Sequence, residues 1–545
     1  MVNELINVET DNINSTNQPI VESELDLSTS SNNEKRVNKF DNFFKITARN
    51  STIKKELIGG LSTFLAMVYI LFVNPSILSS SDSNLVNSIG GLFLGTTIIT
   101  FLGTLLLGLF ANVPLVQAPG MGINSFLTFT VCVQFKLSYG EALICVMVSG
   151  ILYTIISATP LRKIITESVP KNFKISIAVM IGLFIAYVGL TSSGIVTPGV
   201  TAVPTKVFSN FANSKAIGIL VISLIGILLG VVLHFCKVKF SIIITIGATL
   251  AMLLIAGGID HANIGSKIYR LNDYKNFATF ADASKLMYGS FATVFKKPLA
   301  YVAMFCFLYV NLFDTTSVLT WARNDEGFII TNKESENKKF NWVSKAYLSN
   351  AIATTAGAFM LTSNLTCYIE SATGVKSGAK TGLSSVFCAG LILLCIPLYA
   401  VLPALSPIQI DDLSLQPIAG PVSVLIGALI ISELRHFDWK EFADIPVTLF
   451  IIIFGFLGYA ISLGLAMGSI LYVLIYGLYG IANAIKNRKD EEFRKLSLKE
   501  RYQKSCRISV TMWVISILSL AYVIIEILIK AKVFQNLDKY LFKII

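Results

Sequence analysis

Apolar and polar positions along the chain fall into long blocks. Stretches free of Asp, Glu, Lys and Arg run over 57–81, 83–135, 142–161, 175–205, 216–236, 240–259, 298–313, 346–369, 381–410, 413–432, 445–485 and 508–525. A helix needs about 20 such residues to cross the hydrocarbon core of a bilayer. The block 83–135 holds two spans, parted near Pro114–Pro119, and 445–485 holds two more, parted near Ser462–Gly464. Asp314 interrupts one span over about 298–320. The blocks predict seven segments within 51–257, seven within 298–485 and a fifteenth within 508–545. An odd repeat length inverts the second half relative to the first, and inverted repeats are a transporter signature. The predicted fold class is an all-α polytopic membrane protein of 14 transmembrane segments in a 7+7 inverted repeat, with an additional C-terminal helix. For that last helix a span and an interfacial helix both stay open, because 18 uncharged residues are marginal for a crossing.

Composition changes the picture by exclusion. Charged residues make up only 14 % of the 545, against 54 % hydrophobic. A soluble domain carries about 25 % charged residues. The deficit excludes a soluble enzyme, a disordered chain and a fibrous repeat. With the N-terminus in the cytoplasm, 31 of the 44 Lys and Arg fall on inside segments, as the positive-inside rule requires. The net charge of +11 then orients the chain and meets anionic lipid of the plasma membrane, not nucleic acid. Residues 1–50, rich in Asn, Ser, Glu and Asp, read as a disordered cytoplasmic tail without a signal peptide. The polar 258–297 reads as an extracellular loop and 486–507 as a basic cytoplasmic linker.

Eight cysteines without a C-x-x-C spacing read as packing residues, and the three histidines lie far apart in sequence. No H-E-x-x-H and no P-loop occurs in the sequence. These patterns point away from an enzyme, an ATP-driven pump, a metal centre and a bound cofactor. Gly226-x-x-x-Gly230 and Gly464-x-x-x-Gly468 read as close helix packing, or less often as a homodimer face.

Ionisable residues at membrane depth are costly and default to function. Asp314 in segment eight and Glu370 in segment ten stand out. Glu526 near a helix end and Glu141, read as an N-terminal helix charge, are weaker. Segment three carries Pro114, Pro119, Gly120 and Gly122, which disfavour continuous helix. Segment ten carries Thr366, Cys367, Tyr368 and Ile369, which favour extended chain. Each is the third segment of its half, and interrupted segments at matching positions point to a transporter site. The expected geometry is two short strands at the midplane, with half-helix N-termini near Asn124 and Glu370. A flat, polar, neutral ligand such as a nucleobase suits that cavity. A carboxylate accepts adjacent N–H groups, Asn124 and Asn311 both donate and accept, and Phe126 covers a ring face. A carboxylate in low dielectric is also a natural proton carrier.

Four strings carry a resemblance. Gly60 to Pro75, Ala118 to Phe126, Leu312-Phe313-Asp314-Thr315 and Tyr368 to Gly374 resemble, in order, the azaguanine-type branch of the nucleobase–cation symporter superfamily, which includes xanthine and uracil permeases. The resemblance covers about 50–485. It implies a core domain (helices one to four and eight to eleven) and a gate domain (five to seven and twelve to fourteen). It also implies an elevator-like movement between them, and proton-driven uptake of hypoxanthine, guanine or adenine. Carried over by position, Glu370, Asn311, Asn124 and Asp314, with Phe126 and Ile369 beside them, form the substrate site; Glu370 and Asp314 couple protons, sodium being the alternative ion. The family commonly has Asp where this chain has Asn311, and Asn cannot titrate. The rival readings are a uracil, xanthine or anion transporter on the same fold, or a non-transporting membrane sensor.

Overall fold

The computed structural model describes residues 39–81, 89–159, 162, 169–198, 205–207, 214–236, 238, 241–256, 287–324, 342–398, 408–410, 413–457, 461–487 and 508–530. The expected N-terminal tail up to residue 38, most of the 258–297 loop, the linker from 488 to 507 and the side chain of Glu526 lie outside them. The chain divides into Met1–Phe43 and Phe44–Ile545. Only 39–43 of the first unit are described, within helix α1 (Lys39–Phe44).

The second unit is a helical bundle. Its first half runs α2 (Ile53–Met67), α3 (Ile70–Ser79), α4 (Ile89–Leu106), β1 (Gln117–Pro119), α5 (Met121–Ser125), α6 (Tyr139–Ala158), α7 (Lys171–Ser192), β2 (Val196–Pro198), β3 (Thr205–Val207), α8 (Ser214–Phe235) and α9 (Ser241–Ile255). Then follow α10 (Pro298–Asn324), α11 (Trp342–Phe359), β4 (Leu365–Cys367), α12 (Ser371–Lys376), α13 (Gly382–Leu393), β5 (Ile408–Ile410), β6 (Leu413–Leu415), α14 (Ala419–Ile431), α15 (Asp444–Ile452), α16 (Ile461–Lys486) and α17 (Val510–Lys530). Among the described residues, eight helical stretches are long and apolar enough to cross a membrane: Ile53–Ser79, Ile89–Ala111, Tyr139–Ala158, Lys171–Ser192, Ile217–Phe235, Pro298–Thr316, Ala419–His436 and Ser462–Lys486. Five more apolar helices are shorter. This is a multi-pass membrane protein, mostly helical.

Local sequence fixes the ends of these elements. Ser138 and Glu141 form a reciprocal capping box at the start of α6. Glu141 is held further by Thr293 (3.0 Å) and by an ion pair with Lys297 (2.7 Å). In the first turn of α2, the buried Glu56 carboxylate accepts from Ser51 Oγ (2.6 Å) and from the backbone N–H groups of Lys380 (2.9 Å) and Thr381 (3.2 Å). Arg49 donates to the carbonyls of Asn112 (2.6 Å) and Lys380 (2.9 Å). Three chain segments are thereby stitched together at one end of the bundle.

Glycine sets the closest helix contacts. A Cβ on Gly189 of α7 would lie 2.6 Å from the carbonyl oxygen of Gly420 of α14, and one on Gly427 would lie 2.5 Å from that of Gly182. Those backbones touch, which larger residues forbid. Gly226 and Gly230 meet Thr249 and Thr245 of α9, and Gly464 and Gly468 meet the Ile451–Gly455 stretch, so both small-residue pairs serve packing within the chain. α17 lies along α16, tied by Ser469–Ser519 (2.9 Å) and Ser462–Tyr522 (3.0 Å) hydroxyl contacts. Its other face exposes Val510, Trp513, Val514, Ile517 and Leu518.

At the centre β1 pairs antiparallel with β4, in the register Gln117 to Cys367, Ala118 to Thr366 and Pro119 to Leu365. A two-stranded ribbon inside a membrane has two open edges, and every unpaired backbone group there costs several kcal/mol. Side chains close them. Thr104 Oγ1 of α4 accepts from the Gln117 N–H (3.2 Å) and donates to the Gln117 carbonyl (3.0 Å). On the opposite edge, Thr354 Oγ1 of α11 accepts from the Leu365 N–H (3.2 Å) and donates to its carbonyl (3.1 Å). Asn350 donates to the same carbonyl (3.0 Å) and to Gln117 Oε1 (2.9 Å). Asn350 and Thr354 of α11 are thus both engaged by the ribbon. Asn350→Ala should lower stability in detergent by about 1–3 kcal/mol, the cost of stranding a buried polar group. A thermal melt unchanged from the parent chain would contradict this role.

Candidate functional site

The ribbon positions the side chains singled out in the sequence. Because the strands are antiparallel, α5 and α12 leave it at opposite ends. Tyr368 closes the α12 end, with its N–H donating to the Val116 carbonyl (3.0 Å) and its hydroxyl to the Pro119 carbonyl (2.6 Å). Ser371 Oγ accepts from the Val116 N–H (3.1 Å). Glu370 follows directly, half-buried, and the neighbouring Ile369 is 47 % exposed. Glu370 Oε1 accepts from the hydroxyl of Tyr69 (2.7 Å), whose ring is 1 % exposed.

Asp314 sits on α10 facing the Thr366 hydroxyl of β4, close enough to Glu370 for the two charges to interact. Its side chain is exposed while Asn311, Leu312, Thr315 and Thr316 around it on α10 are buried, so the carboxylate opens into a crevice between buried neighbours. Ile369, Glu370 and Asp314 form the accessible group: two acceptors beside an apolar side chain.

The other predicted residues are enclosed. Asn124 begins the α5 end of the ribbon and is fully buried, its Oδ1 accepting from Ser363 Oγ. Phe126 is 1 % exposed and meets Phe307 edge to face, with centroids 5.0 Å apart. Asn311 is fully buried and donates from Nδ2 to Thr354 Oγ1 (3.1 Å). Asn124 Nδ2 and Asn311 Oδ1 are left without a partner among the described residues. Each is an enclosed polar atom available to a ligand or a water.

Two residues escaped sequence reasoning. Tyr69 lies inside the Gly60 to Pro75 string, and a hydroxyl in an otherwise apolar run is the signal that marks it. Thr354 is one of several hydroxyls in α11, and nothing in the sequence separates it from the rest.

Thr354 also accounts for Asn311. Its single hydroxyl hydrogen is committed to the Leu365 carbonyl, so any further partner must donate. An amide at 311 does so, and an ionised carboxylate cannot.

The sequence pattern of the Permease family matches residues 54–467. The guanine/hypoxanthine permease PbuO of Bacillus subtilis is 32 % identical over 443 residues, 80 % of this chain and 94 % of that one. The adenine permease AdeQ of Escherichia coli is 28 % identical, over 79 % of this chain and 89 % of that one. Among solved structures, the murine anion transporter Slc26a9 in its inward-facing state aligns with a TM-score of 0.49 at 12 % identity, covering 83 % of this chain and 74 % of that one.

The hydrogen-bond accounting at Thr354 yields a stability prediction. Asn311→Asp should lower the melting temperature of the purified protein, by the equivalent of about 1–3 kcal/mol, because a buried carboxylate loses the N–H that Thr354 accepts and must compete for the Thr354 hydrogen already given to Leu365. A melting temperature equal to or above that of the parent would refute the accounting. With 54–467 matched to its pattern, the chain belongs to the Permease family, on the azaguanine-type branch that its four motifs resemble.

Proposed function

We propose that the chain is a secondary transporter that imports purine nucleobases across the plasma membrane, and that it is not an enzyme. The observation that carries this reading is the accessible pair of carboxylates, Glu370 and Asp314, at the end of a ribbon that offers no other free charge among the described residues. A neutral purine carries ring and exocyclic N–H donors on its edge and apolar faces above and below. Glu370 accepts from the edge, and Ile369 packs against a face. Asn124 and Asn311 each hold one unpartnered amide atom that can orient the base. Phe126 braces the α5 end of the ribbon. The names of PbuO and AdeQ, guanine/hypoxanthine and adenine permeases, support the same substrate class.

Coupling follows from the charges. Two carboxylates in one embedded crevice repel each other when both are ionised, and a proton arriving with the base relieves that repulsion. Glu370 is the proton carrier in this reading and Asp314 its partner; sodium is the alternative ion. Movement is of the elevator type, with a 7+7 inverted repeat of 14 spans divided into core and gate and the N-terminus in the cytoplasm. The charge asymmetry of the loops and the matching positions of β1 and β4 in the two halves support that arrangement.

The test is uptake by proteoliposomes given labelled hypoxanthine, guanine, adenine, xanthine and uracil, and a competing anion panel, under imposed proton or sodium gradients. Purine accumulation that rises with an inward proton gradient, and is abolished in Glu370→Gln, is the expected result. Accumulation by Glu370→Gln equal to the parent would remove Glu370 from its role. Uptake of xanthine, uracil or anions alone would replace the substrate, and binding without uptake would make the chain a sensor.

A further inference from the structure

The first membrane span has a break in its α-helical hydrogen-bond ladder near its middle. α2 ends at Met67 and α3 begins at Ile70, and Val68 and Tyr69 between them keep right-handed helical backbone angles. The ladder there shortens: Leu71 N–H donates to the Val68 carbonyl (3.2 Å) and Phe72 N–H to the Tyr69 carbonyl (3.1 Å), three residues back rather than four. The break aims the Tyr69 ring into a packed apolar cluster with Met67, Ile70, Val116, Ala118 and Tyr368. At the far side of that cluster the hydroxyl meets Glu370 Oε1 at 2.7 Å. A phenol buried to that extent must find a polar partner, and this one uses the carboxylate of the crevice.

We infer that Tyr69 is a positioning residue for Glu370: its hydroxyl holds one carboxylate oxygen, fixes the side chain against the end of the ribbon and leaves Oε2 to face the base. The geometry requires this division of labour. Glu370 lies just past the last strand residue, in a short turn before α12, where its carboxylate meets the Tyr69 hydroxyl and its own backbone N–H, and Tyr69 is the one side chain that ties it to another span among the described residues. An unrestrained Glu has three rotatable bonds and loses rotamer freedom when a ligand orders it. A carboxylate already held by Tyr69 has lost that freedom before the base arrives, so binding is tighter. The bond also joins the break in the first span to the chain just after β4.

This inference rests on the reading of Glu370 as the base acceptor, and its test separates the two. Tyr69→Phe keeps the ring and its packing and deletes only the hydroxyl. Equilibrium binding of labelled hypoxanthine to purified parent, Tyr69→Phe, Glu370→Gln and the double variant forms a cycle. Tyr69→Phe should weaken binding about tenfold, which corresponds to about 1.4 kcal/mol. In the Glu370→Gln background the same change should weaken it less than twofold. Equal losses in both backgrounds, or no loss in either, would overturn the positioning role. If no purine binds the parent chain, the base-acceptor reading has failed, and a second readout still judges Tyr69. A membrane-permeant carbodiimide attacks embedded carboxyl groups, and the modification of Glu370 is followed by mass spectrometry. Release of Oε1 in Tyr69→Phe should raise the labelling rate several-fold, with the labelling of Asp314 unchanged. An unchanged rate at Glu370 would overturn the inference.

Discussion

The structure depends on one constraint: a two-stranded ribbon inside a membrane must have its outer edges hydrogen-bonded by something other than water. β1 and β4 satisfy each other on the inside, while Thr104, Asn350 and Thr354 complete the outside. Three helices, α4, α10 and α11, are held in place by that requirement, because Thr315 of α10 in turn donates to Asn350 Oδ1 (3.0 Å). Hydroxyls and amides in these helices look like a cost to membrane insertion when read one at a time. Taken together they replace the solvent that an open ribbon would otherwise need. The reward is extended chain at membrane depth, which presents Ile369 and Glu370 where a continuous helix would bury its own backbone and face one side only.

The same constraint explains why the residue at 311 is an amide. A hydroxyl has one hydrogen to give, and Thr354 gives it to the backbone of β4. The position most marked as a departure from the family is therefore in balance with its surroundings. Charge is correspondingly concentrated in Glu370 and Asp314, one at the end of β4 and the other facing its middle residue. The small number of charges in the spans is thus paired with a large number of neutral hydrogen bonds around them.

Much of this was legible in the sequence, and for physical reasons. Long uncharged blocks reveal spans because a bilayer tolerates few charges. Pro119 and Gly120 in one segment, and Thr366 to Ile369 in another, disfavour helix strongly enough to mark β1 and β4. Glu370 and Asp314 stood out because an intramembrane carboxylate is rare. The register of the ribbon was not legible, since three-residue strands carry no alternation to fix it. Nor were the partners of its edges: Thr104 and Thr354 are two hydroxyls among many, and only the fold brings them to the strands. Burial also divides residues that the sequence treats alike. Asn124 and Asn311 are enclosed while Ile369 is exposed, yet all three sit in apolar blocks with nothing in the sequence to tell their burial apart.

The central claim is that a base occupies the crevice beside Glu370, and protection of a neighbouring thiol tests it most directly. Ile369 is 47 % exposed, so a cysteine there should react with a small maleimide once the exposed Cys236, and Cys506, are replaced by Ser. Hypoxanthine, guanine or adenine should slow labelling of Ile369→Cys in a saturable manner, while a non-planar polar solute such as glycerol should not. Labelling that proceeds at one rate whatever purine is present would contradict the account.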